Sequence, residues 1–593
     1  MAEGFLARYN EELSALRQRA SRFAESFPKI AGRLRMTGEV VDDPHVERLI
    51  QSFAYSAARV RQKLDDEFPE LTDSLLETLY PHYLSPIPSM FIVQFEPART
   101  VAAQQIVARH TEILAEPVAG ETCRFRTSQD VRIAPVELAA ARLAGQPIEA
   151  PAVPFTGVTG CLRLSLRSRD PRQSLGGIGL SGLRLHIASP WPQAVQIHEL
   201  LCNHTVGIAV ARHSGDLQPR ILTASHLRPT GFDAEEALLP YPAPSFEGYR
   251  LLTEFFALPQ KFLFIELSGL EDWQQNELEI FIYLDQTSPK LERAISVRDF
   301  ALHAVPVVNL FRQACEPVTI DGTRTEYRLL ADSRRQQTRE IFAVEQVMLT
   351  STKGVKETSQ PFFGRTYRSD SASTYWQITR RFCDEDGTSD TDIAFVDRNR
   401  RHFSPVDTVA SVDALCINRN LPEQLPFGGG HPHLQLASGH EAVHRLQALM
   451  PPTPSVRMND QEARNWRLIS HLLLNHLSLT DGNGGALKDI LSLYSFRDSP
   501  ETRLFAEAII GISAEPSLAR MPHGGMAPGT DITLTFDPNA IDPAAAYLFG
   551  SILDRFFGLY TSINSFTRLT VLLKGISEPV ARWPARAAAR PLV

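Results

Sequence analysis

Apolar residues at the start of the chain recur at helical spacing. Leu6, Tyr9, Leu13, Leu16, Ala20, Phe23 and Phe27 follow one another at alternating steps of three and four. This predicts a helix with an a/d heptad seam, closed by Pro28. Asp43-Pro44 supplies an N-cap with proline at the first helical position, and predicts a second helix. Its apolar face is Val46, Leu49, Ile50, Phe53, Ala57, Val60 and Leu64. A third helix is expected from about Pro69 to Tyr80, burying Leu71, Leu75, Leu76, Leu79 and Tyr80, before Pro81, Pro86 and Pro88 end the helical region. Two readings stand side by side: an intramolecular three-helix bundle, or helices whose narrow seam packs on another chain. The candidate partner-facing residues are Leu6, Tyr9, Leu13, Leu16, Phe23, Phe27, Phe53, Leu64, Leu75 and Leu79.

From Met90 the period falls to two. Phe91, Val93 and Phe95 alternate with Ile92 and Gln94; Leu162, Leu164 and Leu166 with Arg163, Ser165 and Arg167; Leu183, Leu185 and Ile187 with Arg184 and His186. Such alternation predicts antiparallel sheets with one wetter face. Further strands are expected near 262–268, 277–285, 341–351 and 407–417, with helices near 193–203 and 247–257. Residues 352–374 and 384–392 read as polar loops, and 422–433, with three prolines and three consecutive glycines, as a linker or long loop. Helices return near 439–449, 464–477, 485–495, 500–513 and 543–562, with strands near 530–536 and 567–573. The arginine-bearing stretch after Pro579 reads as a frayed tail. The expected fold is therefore α+β and multidomain: a helical N-terminal region (1–89), a β-rich middle with antiparallel sheets (90–300), a second β-containing region (301–425) and a mainly helical C-terminal region with a few strands (426–593).

Composition narrows the function classes. A net charge of -8 over 593 residues lacks the basic surface that non-specific nucleic-acid binding needs. The six cysteines are scattered without a C-x-x-C pair, which reads as reduced thiols rather than a disulfide framework or a zinc ribbon. The N-terminus carries no basic start followed by an apolar run, and no apolar stretch approaches the roughly 20 residues that cross a bilayer. The expectation is a cytoplasmic protein that meets a membrane only through partners.

Local motifs offer little catalysis. His440-Glu441-Ala442-Val443-His444 matches H-E-x-x-H, which on a helix sets two imidazoles one turn apart for zinc with the glutamate as general base. The predicted helix is short, ended by Pro451-Pro452, and Gln447 and Met450 stand where a metzincin needs glycine and histidine. The economical reading is a pair of surface histidines; the alternative function is a zinc-dependent hydrolase using His440, Glu441 and His444. Gly177 to Gly182 satisfies G-x-G-x-x-G, but a period-two strand follows it where a dinucleotide site needs a helix, so it reads as a hairpin connection. Asp384, Asp386, Asp390 and Asp392 lack the glycine and glutamate of an EF-hand and read as a solvated loop. No catalytic residue, cofactor or metal is expected.

Longer strings carry a resemblance. Tyr9-Asn10-Glu11-Glu12-Leu13, Phe27-Pro28-Lys29-Ile30-Ala31-Gly32-Arg33-Leu34, Asp43-Pro44-His45-Val46-Glu47-Arg48-Leu49, Lys63-Leu64-Asp65-Asp66-Glu67-Phe68-Pro69 and Leu79-Tyr80-Pro81-His82-Tyr83-Leu84 come in one order. They are followed by Gly248-Tyr249-Arg250-Leu251-Leu252, Glu254-Phe255-Phe256, Pro259-Gln260-Lys261-Phe262 and Pro306-Val307-Val308-Asn309-Leu310-Phe311. Trp466-Arg467-Leu468-Ile469-Ser470 and Ile563-Asn564-Ser565-Phe566 complete the set. In this order the chain resembles the TssF (VasA or ImpG) family of type VI secretion. The resemblance implies a non-enzymatic baseplate wedge subunit. Its partners would be a TssG-like chain, with a second copy of itself in the same unit, then TssK towards the inner membrane complex, TssE towards the sheath, and the spike hub (VgrG). Catalysis, cofactors and nucleic acid have no part in that role.

Overall fold

The computed structural model describes Tyr9, Leu13, Leu16 and Leu76, and residues 27–33, 36–37, 40–41, 43–65, 80–180, 182–241, 245–352, 354–362, 374–383, 387–397, 408–457, 484–495, 500–520, 526–561 and 565–587. The chain divides into two compact units, residues 1–78 with 460–469, and the remainder.

In the first unit Tyr9, Leu13 and Leu16 are helical and half-buried. A short helix, Pro28–Arg33, is followed by a two-stranded ladder, Met36–Thr37 with Val40–Val41. Helix α1, Pro44–Asp65, starts where Asp43-Pro44 predicts. The Asp43 carboxylate accepts from the His45 backbone N–H at 2.9 Å. The described residues therefore hold helices interrupted by a β-ladder, and they do not support a three-helix bundle. Of the third predicted helix Leu76 and Tyr80 are described: Leu76 is helical and buried, whereas Tyr80 is buried but no longer helical.

The second unit makes the described residues mostly β, with 42% strand against 23% helix, so their balance lies further towards sheet than the α+β expectation. A closed barrel is built from β1 (Met90–Pro97), β2 (Glu112–Val118), β3 (Glu121–Thr127), β4 (Ala304–Val308), β5 (Leu434–Leu436) and β6 (Val443–Ala448). Around the wall the order is β4-β1-β6-β5-β2-β3, every pair antiparallel. Phe91, Val93, Phe95, Ile113, Phe125, Val305, Val307 and Leu446 fill the core, capped by Leu421 and Leu425. Met90 and Ile92, on the other face of β1, are also buried, in a second cluster with Leu258, Val308 and Ile417. Closing the sheet removes its edges, and covering the outside makes β1 apolar on both faces.

Two further antiparallel sheets follow the barrel. One orders strands 220–223, 205–211, 277–284, 160–168 and 136–145; the other orders 227–230, 264–268, 182–187 and 300–302. An eight-stranded sheet is assembled from residues 311–417, and includes strand Lys356–Pro361 inside a segment predicted as loop and strand Thr388–Asp397, which begins inside another. Asp390 and Asp392 are consequently on a strand, paired with Arg328 and Arg419, and with Arg381, rather than in a solvated loop. Asp384 and Asp386 lie outside the described residues.

The C-terminal sheet pairs Ile509–Arg520 with Met526–Phe536, and the latter lies parallel to Phe566–Leu573 through the connecting helix Pro543–Leu559. The predicted helix at 500–513 stops at Glu507, because Ile509, Ile510 and Ile512 continue as strand. The tail is not frayed as far as Ala587. Strands Ala581–Arg582 and Arg586–Ala587 pair with Phe566–Leu573, Trp583 stacks on Tyr547 at 5.5 Å, and Arg586 holds the buried Asp554 at 2.7 Å.

Candidate functional site

Three of the family strings in the second unit, with Tyr80 from a fourth, meet in a buried hub. We label helices α2 (Glu247–Ala257), α3 (Gly485–Tyr494) and α4 (Pro543–Leu559). Tyr249 stacks flat on Tyr494, with ring centroids 5.0 Å apart, and shares a 2.6 Å hydrogen bond with the Tyr560 hydroxyl. Phe255 stacks on Phe549 at 5.3 Å, and Phe246 lies 4.3 Å from Tyr560. Tyr80 joins edge-on at 5.7 Å from Tyr249, and burial pushes its hydroxyl up to about 12.

Beside the rings sits a dry ionic triad. The Glu254 carboxylate accepts from the backbone N–H groups of Leu238 and Leu239 at 2.8 and 3.1 Å, from Arg250 at 3.3 Å, and from Lys261. All three charged side chains are buried. Burial alone would raise the Glu254 pKa; Lys261, Arg250 and the donated hydrogen bonds outweigh it and hold the carboxyl below its ordinary value. Burial lowers the Lys261 ammonium, partly offset by Glu254. The arrangement is a charge-compensated joint rather than a reaction centre.

A second joint ties the barrel to the eight-stranded sheet. Asn309 donates to the Arg124 carbonyl at 2.7 Å and to Asn418 Oδ1 at 2.8 Å. The Asn418 and Arg124 backbone N–H groups donate to Asn309 Oδ1 and Asn418 Oδ1 at 2.7 and 2.9 Å.

The predicted catalytic motif does not survive folding. His440 and Glu441 lie in a turn, and His444 falls in a β-bulge of β6, so the helical spacing that would bring two imidazoles together is absent. His440 Nδ1 instead accepts from the Ala442 backbone N–H at 3.2 Å. Leu446 and Ala448 enter the barrel core at a spacing of two, and this alternation outweighs the weak helical pattern. Residues 177–179 of the glycine-rich segment lie in a turn, and Gly182 already begins the strand Gly182–Ile187, which belongs to a different sheet from the preceding strand Gly160–Ser168, so the connection is not a hairpin. Among the described residues, one group of metal-ligating side chains does come together, Glu116 with His431 and His433. His431 and His433 stand two residues apart, an H-x-H spacing, while Glu116 is remote from them in sequence. No disulfide joins any of the six cysteines, and four of them are buried.

The candidate partner-facing residues divide. Phe53 and Phe27 are 65% and 53% exposed; Tyr9, Leu13 and Leu16 are half-buried; Leu64 is in α1; Leu6, Phe23, Leu75 and Leu79 lie outside the described residues. Leu49 is 70% exposed, while Ala54 and Ala58 are buried. At roughly 100° per residue Leu49 and Phe53 lie about 40° apart, whereas Ala54 and Ala58 lie about 140–180° from Leu49. The helix packs by a small-residue flank and leaves the centre of its apolar stripe to solvent.

Several sheets tied by buried joints, with an open apolar helix face, define a β-rich protein of many sheets. The model of the family described as "Type VI secretion system, TssF" matches residues 1–590. The chain is 34% identical to the type VI secretion system component TssF1 of Pseudomonas aeruginosa over 616 aligned positions, covering 98% of each. A chain in a cryo-electron microscopy structure of the type VI secretion TssK-TssF-TssG baseplate subcomplex superposes with a TM-score of 0.76 at 26% identity, covering 92% of this chain and 99% of that one. A chain of the type VI secretion baseplate complex shares the fold, with a TM-score of 0.59 at 23% identity over 99% and 100% of the two chains. The chain belongs to the TssF family of type VI secretion proteins.

Proposed function

We propose that this chain is a non-catalytic subunit of a type VI secretion baseplate, assembling with TssG-like and TssK-like chains. The observation that carries the reading is the open stripe of α1, where Leu49 and Phe53 stay in water although Ala54 and Ala58 are buried. Each such side chain gains about 1.5–3 kcal/mol when a partner covers it. The relative seen in the TssK-TssF-TssG subcomplex supports a partner of that class.

In the finer form of the proposal, two copies join one TssG-like chain through the N-terminal helices, with Leu6, Tyr9, Leu13, Leu16, Phe23, Phe27, Phe53, Leu64, Leu75 and Leu79 at the contacts. TssE-like, hub and TssK-like chains then connect this unit to sheath, spike and inner membrane. The regions 1–89, 90–300, 301–425 and 426–593 present separate surfaces to these neighbours. Among the described residues no helix is long and apolar enough to cross a membrane.

Co-expression with the neighbouring baseplate proteins, followed by the mass of the intact complex, tests the proposal. A mass of two copies to one TssG-like chain is expected; equal copies would overturn the stoichiometry, and no complex would overturn the reading. The alternative of a zinc-dependent hydrolase on His440, Glu441 and His444 finds no helix to stand on.

A further inference from the structure

We infer that Glu116, His431 and His433 form a divalent transition-metal site, of the chemistry that takes zinc, on the wall of the barrel. The three residues meet because of how β2 and β5 are built. The pairing of β2 with β3 runs from Leu114–Arg124 to Pro117–Thr122, so Ala115 and Glu116 together oppose Cys123. This is a β-bulge, a device that re-aims a side chain. Ala115 and Cys123 enter the barrel core, and the Glu116 carboxylate instead meets His431, whose Nδ1 lies 3.0 and 2.9 Å from its two oxygens.

On β5, Leu434 pairs with Ala115, so His433, one residue earlier, comes level with Glu116 across the antiparallel pair. His431 is delivered by a tight turn. Gly428, Gly429 and Gly430 all have positive φ (101°, 62° and 94°), and Gly428 and His431 exchange backbone hydrogen bonds at 3.3 and 3.1 Å. Only glycine adopts such a run at low cost. The two imidazole rings lie 4.3 Å apart, tilted by 48°.

One ligand atom from each residue lies within 4.8 Å of the others. Zinc bonded to nitrogen and oxygen at about 2.0–2.2 Å in a tetrahedron sets its ligand atoms about 3.4 Å apart. The required contraction is on the order of 1.5 Å, within reach of side-chain rotation at a half-open site. Two imidazoles and one carboxylate suit zinc, copper or nickel and disfavour magnesium and calcium, and they leave a position for water. The Arg445 guanidinium reaches the same turn, 3.2 Å from where a Cβ on Gly430 would lie, and its charge weakens the affinity of any cation held there.

The site differs in its consequences from a plain His–Glu hydrogen bond, which needs only His431 and Glu116. The test uses the full, tag-free chain, stripped with a chelator and titrated with Zn²⁺ by calorimetry, with Co²⁺ followed in parallel by its visible absorption. One equivalent of tight binding is expected, with cobalt bands of a low-coordinate nitrogen and oxygen site. His433→Ala and Glu116→Gln are each expected to weaken it about tenfold or more. His440→Ala with His444→Ala is expected to leave it unchanged. His433→Gln keeps a polar side chain at the surface, and an unshifted thermal midpoint without metal shows that a variant is folded. Equal zinc affinity in wild type and the His431→Ala, His433→Ala double variant, or cobalt without visible bands, would overturn the inference.

Discussion

Two helices of this chain treat their apolar residues in opposite ways. Helix α4, Pro543–Leu559, is apolar nearly all round and buried nearly all round; Tyr547, Phe549, Phe556 and even Asp554 are inside. Helix α1, Pro44–Asp65, has a defined stripe, yet buries Ala54 and Ala58 and leaves Leu49 and Phe53 in solvent. A helix whose stripe and packing face coincide is finished by its own chain. A helix in which they differ keeps uncovered apolar area, and in a protein of this family that area is the natural place for another subunit. Substitutions in α2 and α4 should therefore act on stability, and substitutions in the α1 stripe on association.

The largest stability effect is expected at the ionic joint. Glu254→Ala leaves Lys261 and Arg250 buried without their counter-charge, at a cost of about 3–5 kcal/mol. The urea midpoint of the isolated chain measures it, and a loss below about 1 kcal/mol would mean that water reaches the triad. Asn309→Ala comes next. It removes the donor to the Arg124 carbonyl and both hydrogen bonds between Asn309 and Asn418, and is expected to cost about 1–3 kcal/mol.

Acid should act on the same interior. Burial holds His82, His186 and His198 down to about 3, and His303 down to about 4. Their folded pKa values lie below the unfolded value of 6.5, so the unfolded chain takes up protons first as the pH falls. Above pH 6.5 these groups contribute nothing; between 6.5 and its own folded value, about 3 for the first three and about 4 for His303, each removes up to ~1.4 kcal/mol per pH unit. The urea midpoint should fall from pH 7 to pH 5, and more gently in His186→Gln. A midpoint independent of pH over that range would place these imidazoles in contact with water.

The same contrast separates what the sequence made legible from what it did not. Helix Glu247–Ala257 and strands Gly182–Ile187 and Glu277–Leu284 lie where the sequence predicts them; Leu183, Leu185 and Ile187 mark the first of these strands by alternation, while the helix is buried on all sides. At His440 to His444 the period was too short to discriminate, and pairing with β1 decided for strand. The end of the chain looked frayed because arginine and alanine dominate it. Asp554 on α4, however, needs a cation in a buried place, and Arg586 supplies it. Barrel closure was not legible, since β1 takes its neighbours from β4 and β6, segments remote in sequence. The Glu116, His431 and His433 group was hidden for the same reason: its carboxylate and its imidazoles are neighbours only after β2 and β5 pair. The resemblance strings contain Tyr80, Tyr249, Arg250, Glu254, Phe255 and Lys261 of the hub, but not their partners Phe246, Tyr494, Phe549 and Tyr560, which come from elsewhere in the chain.

The smallest expected stability effect is also the most informative about function. Leu49→Ser with Phe53→Ser replaces two exposed side chains, and exposed substitutions of this kind change stability by within about 0.5 kcal/mol each. If α1 ends at its own surface, such a variant should behave as wild type in every assay. If a TssG-like chain covers the stripe, the variant keeps the wild-type urea midpoint and loses the complex on co-expression, because two buried contacts of about 1.5–3 kcal/mol each are gone. Phe255→Ala in the hub is the matching control, with about 3–5 kcal/mol of stability lost through the cavity it leaves. A double-serine variant that retains the complex would show that the stripe is not where the partner binds, and would move the association surface to the half-buried Tyr9, Leu13 and Leu16.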